Sequence, residues 1–273
     1  MKHLPLPVAD LADDRVVRTV CKQPIFASDE AQWLAAYAAY RGAGGDPWLV
    51  APAGFQDPVA TAQRRLYETR KKGGPVRRIR DTPNLLCCPL CGSLTTDSLD
   101  HLLPKAVYPE FSIMRANLVP ACTHCNAANK GEKHRGAQAP ERFIHPYFDA
   151  FADGVIWQVR INPPYVAATF DPVPAQGLTA DQVAMVTYHL ENVLGKAFHS
   201  RTRTLWSTYP GSIRIGAQGD PITAQSVAAA VALDLDKSEH LDGKNGWRTA
   251  LLRGLAADPA AIAYVVAAAI AYP

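Results

Sequence analysis

The sequence predicts an α+β protein, mostly α-helical, in which a small core bracketed by cysteines is embedded between N-terminal and C-terminal helical regions. Apolar residues recur at helical spacing, next to capping residues, in the first and last thirds of the 273-residue chain. Two Cys-x-x-Cys pairs enclose thirty residues near position 100. Aromatic and β-branched residues alternate near position 160, which is typical of short strands. We therefore divide the chain into residues 1–82, 83–145 and 146–273.

Two helices with a basic segment are predicted in the N-terminal region. The first spans residues 29–41, where Ser28 is a suitable N-cap and Gly42 a suitable end. The second begins after Asp57, since aspartate followed by proline is typical of a first helical turn, and ends at the glycine pair 73–74. Each helix carries one apolar stripe, which we expect to be buried.

The C-terminal region is predicted to be mainly helical, with one short β-hairpin. Its strands are expected near residues 155–161 and 165–170. Thr179 and Gln182 form a capping box that begins a helix with one apolar face. Further helices are predicted near residues 223–234, 246–256 and 259–272, the last of them capped by Asp258.

Positive charge is concentrated in one segment. The formal net charge is only +3, but residues 64–80 hold eight Lys or Arg and one Glu, a local charge of +7, so the rest of the chain sums to −4. A solvated helix face is one interpretation of this segment. Its density and its position before the first cysteine pair favour contact with phosphate. The arginines that we expect to make such contacts are Arg77, Arg78 and Arg80.

The sequence predicts neither secretion nor membrane insertion. Prolines and acidic residues interrupt the first fourteen positions, where a signal peptide has an apolar run. The apolar stretch 260–272 is too short to cross a bilayer and is better interpreted as a packed helix. We therefore expect a cytoplasmic protein of bacterial type with no membrane partner, whose thiols stay reduced.

The two cysteine pairs have the spacing of a structural zinc site. A two-residue spacer lets both sulfurs of a pair face one ion, and Gly92 suits the tight turn that follows the first pair. Two disulfides or a redox dithiol are the alternatives, which reduced thiols disfavour. Cys87 is left out of the site because Cys88 gives the two-residue spacing. The predicted zinc ligands are Cys88, Cys91, Cys122 and Cys125.

The chain between the two pairs folds back on itself, which predicts a hairpin. We expect its strands near residues 94–102 and 116–121, and a helix that starts at Asn126. Asp100 and His101 then lie at the end of the first strand. The result is a strand–strand–helix unit clamped by zinc at its base.

The polar residues of this unit resemble those of the HNH endonuclease family, in the branch of the ββα-metal nucleases that carries a four-cysteine zinc site. The matching motifs are Asp100-His101 with the following "LLPK", the "NLVP" that begins at Asn117, and "CTHCNAANK". The resemblance covers residues 85–135, about a fifth of the chain. It implies an endonuclease that hydrolyses the phosphodiester bonds of nucleic acid.

The resemblance also implies a role for each polar residue. His101 is the expected general base, because an imidazole accepts a proton from water near neutral pH. Asp100 and Asn126 supply oxygen ligands to a catalytic divalent cation, and Asn117 orients the base or braces the loop. Lys105 and Lys130 are expected to contact phosphate.

One departure from the family pattern affects the choice of cation. The third motif position is often histidine in the family and is Asn126 here, which gives an H-N-N pattern. An amide oxygen suits Mg²⁺ better than softer metals, so Mg²⁺ is favoured, with Mn²⁺ as a substitute.

Structural roles are open for the same residues. Asp100 is also suited to cap a turn, Asn117 to support the fold and Asn126 to cap the helix. A catalytically inert zinc-ribbon module that binds nucleic acid needs the cysteines and the basic segment alone. The joint presence of Asp100, His101 and Asn126 favours the nuclease.

The longer pattern, including "FIHPYFDAF" at residues 143–151, is similar to the compact HNH proteins of bacterial anti-phage operons of the Septu and retron types. That similarity implies antiviral defence beside a partner ATPase. A stand-alone or mobile-element nuclease is the competing interpretation. DNA is the favoured substrate, and cleavage of RNA, including tRNA, is the alternative.

Overall fold

The structure, a computed structural model, describes residues 1–7, 12–70, 74–82, 85, 87–93 and 96–272. Within these ranges the chain forms nine α-helices and two antiparallel two-stranded sheets. The prediction of an α+β, mostly helical protein is therefore confirmed.

The elements follow one another in the order of the three predicted regions. The N-terminal helices are α1 (Ala12–Val20), α2 (Glu30–Gly42), α3 (Val59–Arg70) and α4 (Gly74–Arg80). The central strands are β1 (Ser98–His101) and β2 (Leu118–Ala121), followed by a short π-helix, His124–Asn129, which we call the knuckle helix. The C-terminal elements are β3 (Trp157–Asn162), β4 (Thr169–Pro174), α5 (Ala180–Val193), α6 (Lys196–Gly216), α7 (Ala224–Leu241), α8 (Trp247–Ala256) and α9 (Pro259–Ile270).

The N-terminal region contains two helices that were not predicted, α1 and α4, and the predicted helices differ at their boundaries. The N-cap of α2 is Asp29, so the assignment of Ser28 is wrong by one residue. Asp57 caps α3 as predicted, because its Oδ1 accepts a hydrogen bond from Thr61 N at 3.0 Å. Gly74 begins the additional helix α4 instead of ending α3, and Gly73 lies outside the described residues.

Strands β1 and β2 form the predicted hairpin, although each is shorter than expected. Asp100 pairs with Val119 and His101 with Leu118, and residues 94 and 95 of the predicted first strand lie outside the described part of the chain. Side chains alternate between the two faces of a strand. His101 therefore lies on the hairpin face opposite to Asp100.

The knuckle helix begins two residues before the predicted start at Asn126. Thr123 already has a helical backbone, with φ −58° and ψ −32°, so the turn starts directly after Cys122. The hydrogen bond from Lys130 N to Cys125 O, at 3.1 Å, spans five residues and gives the turn its π-helical form.

In the C-terminal region the predicted capping signals and the hairpin are confirmed, but the second strand of the hairpin is Thr169–Pro174 and not residues 165–170. The capping box of Thr179 and Gln182 begins α5, and Asp258 caps α9 by accepting hydrogen bonds from two backbone amides. The long helix α6 was not predicted, and Pro210 lies inside it.

Two large hydrophobic cores include residues of the central region. One joins the four cysteines to β3, β4 and helices α5 to α9. The other joins α1, α2 and α3 to the connecting loop, residues 102–117, which links β1 to β2. Within the described residues, no single helix has the length and apolar character of a membrane span; α8 and α9 meet that criterion only together, across a 100° bend.

Candidate metal and catalytic site

The four predicted cysteines come together in the structure. Their sulfur atoms all lie within 4.8 Å of one another, and Cys91 Sγ and Cys122 Sγ are 3.6 Å apart. Tetrahedral zinc with Zn–S bonds of about 2.3 Å places neighbouring sulfurs about 3.8 Å apart, so the cluster has the dimensions of a zinc site. All four thiols are free, which is contrary to the disulfide alternative. We call residues 88–91 and 122–125 the cysteine clasp.

Backbone geometry forms each half of the clasp. Ser93 N donates to Cys91 Sγ and Cys122 N donates to Cys88 Sγ, both at 3.4 Å, so backbone amides orient the sulfur of each contact toward the cluster. Gly92 has φ +79°, and a Cβ atom there would collide with the carbonyl oxygen of Asn245. The turn after the first pair therefore requires glycine.

The C-terminal region holds the clasp from outside. The indole N–H of Trp247 donates to Cys91 O at 2.6 Å, and His189 Nε2 donates to Leu90 O at 2.6 Å. Both acceptors lie within the first Cys-x-x-Cys turn. The region therefore fixes the backbone that presents two of the four sulfurs.

His101 is held in one tautomer. Its Nε2 lies 3.0 Å from Ser112 O, and because a carbonyl oxygen only accepts, Nε2 carries the proton. Nδ1 therefore has the lone pair. Burial lowers the pKa of His101 to about 4, so the ring is neutral at pH 7. The ring packs edge to face on Tyr67, with centroids 4.5 Å apart, and only 8% of the residue is exposed.

Asp100 forms a buried ion pair on the other face of the hairpin. Its Oδ2 lies 3.1 Å from Lys130 Nζ, which donates a hydrogen bond to His101 O at 2.9 Å. Burial raises the pKa of Asp100 to about 6, and the Lys130 ammonium opposes that rise. The Lys130 ammonium is therefore the group that compensates the Oδ2 atom of Asp100.

The burial of Lys130 contradicts the prediction that it contacts phosphate. Only 1% of Lys130 is exposed, and its ammonium also lies over the Phe143 ring, 5.4 Å from the centroid. A buried carboxylate needs a compensating charge nearby, and Lys130 supplies it to Asp100. Its ammonium therefore serves an internal ion pair and does not reach the surface.

Asn126 reaches the same strand as Asp100. Its Nδ2 donates to Leu99 O at 3.0 Å and to Ser98 Oγ at 3.3 Å. Thr123, not Asn126, is the N-cap of the knuckle helix, so the helix-cap interpretation of Asn126 does not apply. The Asn126 Oδ1 makes no hydrogen bond within the described part of the chain.

Asn117 braces the connecting loop. Its Oδ1 accepts from Leu103 N at 2.8 Å, and its Nδ2 donates to Leu103 O at 2.9 Å and to Phe111 O at 3.4 Å. The side chain is fully buried and is bound at both ends. Its contacts are those of the loop brace that the resemblance implied.

The basic helix α4 lies on the hairpin face that carries His101. Val76 and Ile79 form its inner edge and pack with Leu99 and Leu118 of the hairpin. The three arginines lie on the remaining positions of this short helix. α4 therefore brings a cluster of positive charge to the strand that ends at His101.

The arginines of α4 are only partly neutralised. Arg77 Nε and Arg80 Nε each lie 3.0 Å from a carboxylate oxygen of Asp81, so two cations share one anion. Arg78 is exposed. Lys105 pairs with Glu68 at 2.8 Å. Exposed pairs of this kind are weak and exchange readily for another anion.

Lys105 contacts the same aromatic ring as the imidazole. Its Nζ is 4.9 Å from the centroid of the Tyr67 ring, the same ring that packs on His101. One aromatic side chain of α3 thus separates the predicted base from a surface cation.

The structure brings Asp100 and Asn126 onto one side of the hairpin and leaves His101 on the other side of the same strand. It also adds side chains that the sequence interpretation missed. Tyr67 lies within the basic segment and was not identified, although an aromatic residue among cations is a signal of a nucleic-acid surface. Tyr40, which bonds to Asn117, and His145, which bonds to Tyr40, were not identified as site residues from the sequence.

Comparison with known proteins gives one partial match. The chain is 42% identical over 91 residues to Protein ea31 of Escherichia phage lambda, a match that covers 31% of this chain and 30% of that protein. The chain thus matches less than a third of the length of that relative. No protein-family model matches the chain, and no solved structure matches it.

Proposed function

We propose that the protein is a metal-dependent HNH-type endonuclease that hydrolyses phosphodiester bonds, with DNA as the favoured substrate. The observation that supports it most is the position of His101. A neutral imidazole, tied through Nε2 to a backbone carbonyl, ends a strand on which a helix with three arginines is packed. A tethered base beside a cationic surface is what hydrolysis of a polyanion requires.

In this proposal His101 Nδ1 accepts the proton of the attacking water. Its hydrogen bond to Ser112 O fixes the ring, so that the lone pair stays on Nδ1. The arginines of α4 and Lys105 attract the phosphate backbone to the same face, and the Lys105–Glu68 pair gives way to phosphate. Tyr67 must shift for substrate to reach the ring, since it covers His101 in the described structure.

Two kinds of metal ion are proposed. Zinc binds the cysteine clasp and secures the fold. Asp100 and Asn126 offer one carboxylate and one amide oxygen, a donor set for a hard cation such as Mg²⁺ or Mn²⁺. Such an ion would replace the Lys130 ammonium, whose Nζ lies 3.1 Å from Asp100 Oδ2, and it would offer positive charge to phosphate. The Lys130 ammonium is the cation that Asp100 faces in the structure.

A nicking assay tests the catalytic proposal. Wild type, His101→Ala and His124→Ala are brought to equal zinc content. His124→Ala is the matched control, because His124 is an exposed histidine of the clasp. Each is assayed on double-stranded DNA, single-stranded DNA and RNA with Mg²⁺, Mn²⁺ or EDTA. We expect cleavage by wild type and His124→Ala only with a divalent cation, and a loss of at least about 100-fold in His101→Ala.

Equal cleavage by wild type and His101→Ala contradicts the role of His101. No cleavage of any substrate by wild type contradicts the enzyme proposal and favours the inert nucleic-acid-binding module, which binding measurements on the same substrates then examine. The predicted ATPase partner and the role in anti-phage defence stay predictions, and copurification from a bacterial host tests the former.

A further inference from the structure

A buried chain of hydrogen bonds joins the segment 143–151 to the connecting loop. His145 Nε2 lies 3.0 Å from Tyr40 Oη, which lies 3.1 Å from Asn117 Oδ1. All three side chains are fully buried. The chain thus connects α2 and the segment 143–151 with the residue that braces the loop.

The direction of these hydrogen bonds follows from one backbone contact. His145 Nδ1 accepts a hydrogen bond from Tyr147 N at 3.1 Å, so Nδ1 carries no proton. Burial lowers the pKa of His145 to about 3, and the neutral ring therefore carries its single proton on Nε2. Nε2 donates to Tyr40 Oη, so the Tyr40 hydroxyl is itself a donor, and its shorter acceptor is Asn117 Oδ1 at 3.1 Å rather than Ala116 O at 3.4 Å.

This direction fixes the Asn117 amide. A flipped amide would place the Nδ2 donor against the hydroxyl proton of Tyr40, and it would also lose both hydrogen bonds to Leu103. The side chains of His145 and Tyr40 leave no room for a Cβ atom at position 45. Gly45 has φ +69°, and a Cβ atom there would lie 2.7 Å from His145 Cδ2 and 2.8 Å from Tyr40 Cζ.

The Asn117 amide in turn sets the surroundings of His101. It binds Leu103, two residues after His101, and Phe111, one residue before Ser112. Ser112 O is the acceptor that orients the imidazole. One amide therefore fixes both ends of the loop segment that lies between the base and its acceptor.

We propose that Tyr40 and His145 are positioning residues of the nuclease site, which hold the Asn117 amide and, through it, the carbonyl that orients His101. The proposal rests on the proposed function for its catalytic consequence. Its structural consequence, the tautomer of His101, is measured independently of nuclease activity.

The test compares two tyrosines of α2. Tyr40→Phe removes the hydroxyl that bonds Asn117, whereas Tyr37→Phe removes a buried hydroxyl that has no hydrogen-bond partner among the described residues. Long-range ¹H–¹⁵N NMR reports the tautomer of His101, assigned with His101→Gln. We expect mixed His101 tautomers and a kcat lowered about 10- to 100-fold at unchanged KM in Tyr40→Phe, and wild-type behaviour in Tyr37→Phe.

A second pair of variants tests the same hydrogen-bond chain at His145. His145→Gln keeps a side-chain N–H donor toward Tyr40 and is expected to retain the wild-type His101 spectrum. His145→Leu removes the donor and is expected to behave like Tyr40→Phe. This pair decides the question if Tyr40→Phe does not fold.

A single Nε2–H tautomer of His101 in both Tyr40→Phe and His145→Leu overturns the proposal, even if activity falls, because the loss is then a general structural effect. If wild type cleaves no nucleic acid, the proposed function fails, but the spectra still decide whether these residues set the tautomer. The two failures are therefore distinguishable.

Discussion

The cysteine clasp and the connecting loop lie at opposite ends of the central hairpin, and different parts of the chain hold them. At the clasp, Trp247 donates its indole N–H to Cys91 O, and His189 donates to Leu90 O. Both come from helices of the C-terminal region. The clasp belongs to the core that these helices form with β3 and β4.

At the connecting loop the donors are of the same types but come largely from the N-terminal side. Trp33 of α2 donates its indole N–H to Glu110 O at 2.8 Å. His145 acts through Tyr40 of α2 on Asn117. The loop belongs to the core of helices α1 to α3.

Each end therefore uses a tryptophan and a buried neutral histidine to fix backbone carbonyls or an amide. The clasp end presents sulfurs for a metal, and the loop end presents the imidazole of His101. The comparison implies that damage at the clasp lowers zinc affinity and stability, whereas damage at the loop changes the state of His101. Variants at the two ends test whether their roles differ in this way.

Loss of a clasp sulfur has the largest expected effect. Cys122→Ser removes one ligand from a site whose zinc binding contributes, in comparable small domains, on the order of 10 kcal/mol to folding. We expect loss of bound zinc and a collapse of the unfolding transition, measured by metal analysis and urea unfolding. Cys87→Ser is the control, since Cys87 is buried beside the cluster but is not one of its members. Loss of zinc from Cys87→Ser instead contradicts the ligand assignment.

Removal of Lys130 has the next largest effect. Lys130→Met leaves the buried carboxylate of Asp100 without its ammonium, which is expected to lower the free energy of unfolding by about 3–5 kcal/mol. Lys105→Met breaks a surface pair with Glu68 and is expected to cost less than about 1 kcal/mol. Urea unfolding at pH 7 measures both.

The double variant Asp100→Asn with Lys130→Met is expected to recover much of the loss, because no buried charge then lacks a partner. Equal costs for Lys130→Met and Lys105→Met contradict the buried ion pair. Zinc content stays at the wild-type level in all of these variants if the clasp is independent of this pair.

Local signals in the sequence were enough to predict the clasp and the starts of several helices. Two sulfurs two residues apart meet one ion whatever the rest of the fold does, and Asp258 caps α9 through amides two and three residues away. The hairpin followed from the need to bring the two cysteine pairs together. Such inferences depend on few residues and short distances.

Contacts between distant segments were not predictable in the same way. Nothing in the spacing of Asp100 and Lys130 distinguishes a partner from a surface cation, and their pairing depends on the π-helical turn that precedes Lys130. The helix α6 had a signal that was missed. Pro210 obscured the periodic pattern of this helix. Its buried positions recur at three- and four-residue steps and include Phe198, Thr202, Trp206, Tyr209 and Ile213.

A pair of tryptophan variants tests the division between the two ends directly. Trp247→Phe and Trp33→Phe each remove one indole N–H donor, part-buried in Trp247 and buried in Trp33, at an expected cost of about 1–3 kcal/mol in the free energy of unfolding. Chelator competition is expected to show a zinc affinity lowered about tenfold in Trp247→Phe and unchanged in Trp33→Phe. A loss of zinc affinity in Trp33→Phe, equal to that in Trp247→Phe, breaks the division.

The smallest expected effect is a change in acid stability. Burial lowers the pKa of His189 to about 4, and an unfolded histidine has a pKa of about 6.5. The unfolded chain therefore binds the proton first, and the stability that neutral His189 provides above pH 6.5 is lost as the pH falls toward 4. Between pH 7 and 5.5 this loss is about 1 kcal/mol for one histidine.

His189→Gln keeps a side-chain N–H donor for Leu90 O but does not titrate, so its free energy of unfolding is expected to fall by about 1 kcal/mol less than that of wild type over this pH range. The exposed His124→Gln is the control and is expected to follow wild type. Protonation of the clasp thiolates weakens zinc binding equally in all three proteins, so the difference between them isolates His189. Identical pH dependence in wild type and His189→Gln, measured by urea unfolding, means that His189 is not held neutral at the clasp. The two ends then differ in how they use their buried histidines.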